Sequence, residues 1–250
     1  MNKLQNCYKK IEAIFNGDIE EFDSVELVDQ YRQYWKPETI KTILLAESHV
    51  FTTEEHRKIK LKSVELEKQF RLINYPADYA KFVYCLAYGE KNLTKNNDHS
   101  MRDGTPQFWK IFYSCVNFIT KNQDFQPIQS KTPYSTRIKN KIEILRSMRE
   151  KGIWLVDTSI VALYNNGEKP KSSKMKEVLL TSWAYYIEDV LKQVKPERII
   201  IIGKSVAKII GEEAKKVTSN CSVIPQPNAH LHSKEHLKNF QKYYNLCNGN

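Results

Sequence analysis

The chain has 250 residues, 41% hydrophobic, 11% aromatic and 27% charged, a balance that excludes a disordered polymer and predicts one domain with a substantial core. Lys and Arg outnumber Asp and Glu by 39 to 29, and the resulting +10 favours a polyanionic partner such as nucleic acid over an acidic or neutral one. Cys7, Cys85, Cys115, Cys221 and Cys247 lie far apart and form no C-x-x-C pair, which argues against a disulfide framework, a structural zinc or an iron–sulfur cluster.

The opening residues MNKLQNCYKKIEAIF lack the apolar core of a signal peptide, and no stretch approaches the roughly 20 apolar residues that span a bilayer. A cytoplasmic protein with no membrane partner is the expectation. An N-terminal helical extension, about 1–37, comes first: Ser24 is placed as an N-cap, and Val25, Val28, Tyr31 and Trp35 return at helical spacing before Pro37. TILLA, 42–46, is short, apolar and bounded by polar residues, as a central parallel strand covered on both faces should be. Thr52 and Glu55 then suit a capping box for a long charged helix from Glu54 to about Ile73.

Asn74 to Pro133 is rich in Tyr and Asn and shows little periodicity, apart from a helix-like QFWKIFYSCVNFI. Further strands are expected in GIWLVDTSIVALY from Gly152, RIIIIG from Arg198 and CSVIP from Cys221. Between them lies a helix with Met175, Val178, Leu179, Tyr186, Val190 and Val194 on one face, and SKEHLKNFQKYYN closes the chain as a helix with Leu237, Phe240 and Tyr244 aligned. Strands alternating with helices predict an α/β fold: a three-layer α/β/α sandwich on a central, mainly parallel sheet of about four strands, in a single domain over 1–250.

Ligands of such sheets bind beyond the carboxyl ends of the strands. Two polar loops are placed there: Glu47, Ser48 and His49 after TILLA, and VIPQPNAHLHSKEH, which brings Asn228, His230, His232 and Ser233 after the last strand. Ser48 and Thr52 also read as simple helix caps, with Glu47 favouring the helix N-terminus. Three other signals fail. Gly203-Lys204-Ser205 lacks the first glycine of a phosphate loop, since Arg198 stands at that position. His230, His232 and His236 are within reach of one metal but have no carboxylate-rich partner loop, so neither metal nor cofactor is expected. Cys221 has no base beside it in sequence and reads as a packed strand residue.

With LLAESHV in the first loop and IPQPNAH in the second, the chain resembles the uracil-DNA glycosylase-like superfamily over roughly 42–244. The resemblance implies a DNA-base glycosylase that hydrolyses the N-glycosidic bond of an extruded base, with DNA as partner. Its water-orienting position falls on Ser48, with Glu47 one place earlier as in the branch that carries Gly-Glu-Ala-Pro-Gly. That branch's four cluster-binding cysteines have no counterpart here. Its histidine position falls on Ile224, leaving His230 or His232 to act from farther along, and its base-reading Asn corresponds to Asp157. A carboxylate only accepts hydrogen bonds, so Asp157 points to a base presenting an amino or N–H group, unless it caps the next turn of the chain. Phe108 and Trp109 stand near the position of the family's stacking ring, where ordinary helix core is the other reading. The expected set is therefore Glu47, Ser48 and His230 for catalysis, and His49, Phe108, Trp109, Asp157, Asn228 and His232 for binding. The alternatives are a nucleic-acid-binding protein without chemistry, or an enzyme on a small nucleoside-like metabolite.

Overall fold

Four apolar runs pair side by side as β1 Thr42–Ala46, β2 Ile153–Asp157, β3 Arg198–Ile202 and β4 Cys221–Ile224. The computed structural model describes residues 2–95, 104–164, 170–227 and 229–249. Every strand is parallel to its neighbours, in the order β2-β1-β3-β4. All side chains of β1 and β2 are buried, as the unbroken apolar pattern requires of strands covered on both faces. β2 nevertheless lies at an edge, and the backbone N–H of Leu155 donates to Tyr84 Oη at 2.9 Å, so a side chain supplies a partner that a further strand would otherwise provide.

The helices are α1 Lys3–Phe15, α2 Phe22–Tyr34, α3 Glu54–Arg57, α4 Ser63–Phe70, α5 Pro106–Val116, α6 Tyr134–Glu150, α7 Ser172–Ser182, α8 Glu188–Val194, α9 Lys204–Val217 and α10 Ser233–Asn248. One group joins α5 to α6 and α10, with α6 on β2; the other joins α1 to α7 and α7 to α9, with α9 on β3 and β4. The result is the three-layer α/β/α sandwich expected from the sequence. Among the described residues no helix is long and apolar enough to cross a membrane.

Val25, Val28, Tyr31 and Trp35 are all buried as their spacing predicts, but α2 begins at Phe22, and Ser24 lies inside it, donating its hydroxyl to Thr52 O at 2.8 Å. The N-terminal helices share one buried cluster with the sheet. A single π-turn, Trp183–Ile187, joins α7 to α8. The extra residue in that turn rotates the helix beyond it, so Ile187 and Leu191 are fully buried where the uninterrupted pattern places Tyr186 and Val190.

The long helix expected from Glu54 to Ile73 is two short ones. Backbone between them is taken by tertiary pairing: Leu61 N–H donates to Ala77 O at 2.8 Å, Lys62 N–H to Leu93 O at 2.8 Å, and Ile59 O accepts from Tyr79 N–H at 3.0 Å. Thr53, not Thr52, caps α3 by accepting from His56 N–H. The stretch from Tyr75 to Tyr88 is largely buried without regular structure. Tyrosine hydroxyls serve its backbone: Tyr75 Oη donates to Tyr84 O at 2.7 Å and accepts from Leu86 N–H at 2.8 Å, and Tyr31 Oη donates to Asp78 O at 2.6 Å.

Candidate functional site

The chain leaves β1 toward β2 on one side and leaves β3 toward β4 on the other, so the crevice between β1 and β3 is a topological switch point, where open α/β sheets admit ligands. The loops after β1 and β2 are joined as they leave the sheet. Ala46 O accepts from Thr158 N–H at 2.8 Å and from Thr158 Oγ1 at 2.7 Å, and Glu47 O accepts from Ser159 N–H at 2.9 Å. Farther out, Ser48 Oγ accepts from Leu163 N–H at 3.3 Å and Tyr164 Oη donates to Glu47 Oε2 at 2.8 Å. Thr52 Oγ1 accepts from Lys81 N–H at 2.9 Å, tying the same loop to the irregular buried segment. Neither Ser48 nor Thr52 is therefore a helix cap.

Beneath this loop lies a buried ion cluster. His49 Nε2 is 2.6 Å from Glu20 Oε1, its Nδ1 is 3.7 Å from Asp157 Oδ2, and its side chain is wholly enclosed. Arg32 Nη2 donates to Asp157 Oδ2 at 3.1 Å and Arg32 Nη1 to Asp29 Oδ1 at 2.8 Å. The Phe82 ring packs edge-on to His49, and the Arg32 guanidinium sits 5.5 Å from its centroid. Three carboxylates thus face two cations. Burial pulls the His49 pKa down, but Glu20 and Asp157 more than offset it and raise the group from its ordinary 6.5 to about 9. His49 is an imidazolium at neutral pH, donating through Nε2. Glu20 also accepts from Ala162 N–H at 2.6 Å, so one acid between α1 and α2 fastens the loops after both β1 and β2.

Above the cluster, at the carboxyl edge of the sheet, a cavity of about 300 Å³ opens. Its wall includes Glu47, Ser48, His49 and Val50 after β1, Ile202 at the end of β3, and Gln226 and Pro227 after β4; Phe108 and Tyr164 close it from α5 and from the loop after β2. Gly203, which follows the lining residue Ile202, lies against Gln226. Its φ of +109° is disfavoured for other residues, and a Cβ there would stand 2.9 Å from Gln226 Cγ. That close approach, not a phosphate loop, accounts for the glycine.

The two polar loops meet, but not with every expected residue. Glu47, Ser48 and Phe108 line the cavity, and His49 contributes to its wall while its imidazole is turned into the ion cluster. Asp157 is placed elsewhere: its carboxylate pairs with Arg32 beneath the site, which neither caps a turn nor offers an acceptor to a ligand in this cavity. Trp109 is buried in α5, against a different cavity. His230 is exposed, and His232 stands at the N-terminus of α10, its N–H donating to Glu235 Oε2 at 3.0 Å; neither lines the cavity among the described residues. Asn228 lies outside the described residues. Ile224 is fully buried in β4.

Tyr164 and Gln226 were missed. Both lie inside the stretches that marked the site, GIWLVDTSIVALY and IPQPNAH, but sequence carries no sign of which polar residue in a loop turns inward. Glu20 and Arg32 were missed because their partners lie far away in the chain: His49 is 29 residues from Glu20, and Asp157 is 125 from Arg32; Asp29 joins the cluster only through Arg32, three residues on. No protein-family model, curated protein or solved structure matches this chain.

Proposed function

We propose that the cavity takes one extruded nucleobase and that the chain is an N-glycosylase acting on nucleic acid. The observation that carries this reading is the convergence of Glu47, Ser48, Phe108 and Gln226 on one cavity at the sheet's switch point. Its volume is near the lower end of small-ligand pockets, suited to a single planar base. Glycosidic cleavage passes through an oxocarbenium-like sugar, so an anion held beside C1′ lowers the barrier. Glu47 takes that role, held in place by Tyr164. Water adds to C1′ as the C1′–N bond breaks, the electron pair departs with the base, and the water's proton passes to Glu47. Ser48 helps to hold the water, and Phe108 supplies a face for stacking.

With Asp157 committed to Arg32, the reader of the base edge becomes Gln226, whose amide both donates and accepts. The preference for an amino-bearing base rested on Asp157 and falls with it. The excess of basic residues offsets the few kcal/mol that extruding a base costs.

A second reading, nucleic-acid binding without chemistry, is favoured by the leaving-group side: Ile224 is buried, and neither His230 nor His232 lines the cavity among the described residues. A panel of duplexes and single strands carrying uracil, hypoxanthine, xanthine and abasic sites separates the two. Release of a free base that is lost in Glu47→Gln supports the glycosylase, and tight binding without release supports the second reading. Base release from free nucleosides alone, with no affinity for the strands, rejects both in favour of a small-metabolite enzyme.

A further inference from the structure

A second cavity, about 430 Å³, adjoins the first and shares Gly104, Thr105 and Pro106 with it. The shared wall is thin: Gly104 packs on Gly89 so closely that a Cβ at 104 would lie 2.9 Å from Gly89 Cα. On its far side the lining carries Lys110, Lys131, Arg137 and Lys141 against, among the described residues, the single carboxylate of Glu90. Glu90 is buried and accepts from Arg137 Nε and Nη2 and from Lys141 Nζ, each at 2.7 Å. Lys141 is buried too, its ammonium 4.8 Å from the centroid of the Trp109 ring. Arg137 Nη1 donates to Thr132 O at 2.6 Å and to Ser130 O at 3.2 Å, fixing the turn that carries Lys131.

Among the described residues one acid stands against two cations, the buried Lys141 and the half-buried Arg137, and the excess positive charge of this trio faces a cavity that two further lysines border. Burial also pushes the Lys141 pKa down, Glu90 opposes this, and Arg137 lowers it further, so an anion in the cavity relieves a real cost. Thr105 Oγ1, buried at the shared wall, has no hydrogen-bond partner among the described residues. The positive end of α5 starts at the same place.

From this arrangement we infer that the second cavity is a phosphate subsite, taking a phosphodiester or phosphomonoester of the same ligand whose base fills the first. The charge requires an anion; identifying its carrier as a nucleotide rests on the reading of the first cavity as a base site. A nucleic-acid strand and a free nucleotide present the same chemistry here. Lys110 and Lys131 meet the phosphate oxygens, while Glu90, Arg137 and Lys141 form the fixed cationic wall behind them.

The test compares the wild-type chain, a Lys110→Gln/Lys131→Gln double variant and a control, Lys208→Gln, at an exposed position of α9. Affinity for a DNA duplex is measured over a range of salt concentrations. Thermal shift is measured with inorganic phosphate and with a nucleoside 5′-monophosphate. For a strand, the double variant binds on the order of 10-fold more weakly, with a log–log salt slope shallower by about 2, while Lys208→Gln matches the wild type. For a free nucleotide, duplex binding is absent and the monophosphate stabilises the wild type but not the double variant. Either result upholds the subsite, and the second at the same time removes the nucleic-acid reading of the first cavity. The inference is overturned if the double variant keeps the wild-type affinity, slope and thermal shifts, even where base release in the wild type stands.

Discussion

The loops after β1 and β4 border the same cavity and are built in different ways. The first is cross-tied, with Glu47, His49 and Thr52 buried: Glu47 to Tyr164, Ser48 to Leu163, His49 to Glu20, Thr52 to Lys81. The second is more open to solvent, with His230 exposed, and is shaped by Pro225, Pro227 and the packing of Gln226 over Gly203. In the proposed function this contrast has a use. A group that must stand beside a developing charge gains from being fixed beforehand, whereas a group that reads a base edge needs only the right donors and acceptors.

The largest effect expected from breaking the cross-tied side comes from Arg32→Met, which strips the guanidinium from the buried Asp157 and the half-buried Asp29 and leaves His49 as the one cation near Asp157 among the described residues. Removing one partner of a buried ion pair costs roughly 3–5 kcal/mol, so the urea midpoint should fall steeply. A wild-type midpoint would show that the cluster does not hold the loop. On the open side, Gly203→Ala forces a strained φ and pushes Gln226 aside, at a cost of about 1–3 kcal/mol in stability, with ligand affinity lost as well. Loss of stability with affinity intact would remove Gln226 from recognition.

A pH titration sharpens the comparison further. Because the folded pKa of His49 is raised to about 9, its contribution to stability is fully present below about 6.5 and is lost as pH rises through 9. The wild-type urea midpoint should therefore decline across that window more than in His49→Gln, and parallel curves would place the imidazolium elsewhere. The smallest effect is expected of Tyr164→Phe, which deletes one hydrogen bond to Glu47 and about 0.5–1.5 kcal/mol of stability. Base release should fall more than that loss of stability alone accounts for, and an unchanged rate would show that Glu47 needs no such support.

β1, β2 and β3 were legible because each is a short apolar run with polar ends, a pattern that covering both faces of a parallel sheet demands, whereas β4 is an edge strand with Val223 exposed. The general position of the site came with the strands, since the loops at the carboxyl edge carry Glu47 and Gln226. What escaped was set by distant partners. The helix expected at Glu54 breaks because residues 59–62 pair with residues 77–79 and 93–95, and no local pattern reports that competition. Asp157 looks like a site residue from its place at a strand end, yet Arg32 from the N-terminal helices reaches it first. α6 was overlooked although Ile138, Ile142 and Leu145 recur at helical spacing and are all buried.

The most direct measurement is a structure of the protein bound to a duplex that carries a base analogue with an uncleavable glycosidic bond. The account predicts an extruded base stacked on Phe108, its edge at Gln226 and its sugar C1′ beside the Glu47 carboxylate. A duplex bound at another surface, with its bases all stacked and this cavity vacant, would contradict it.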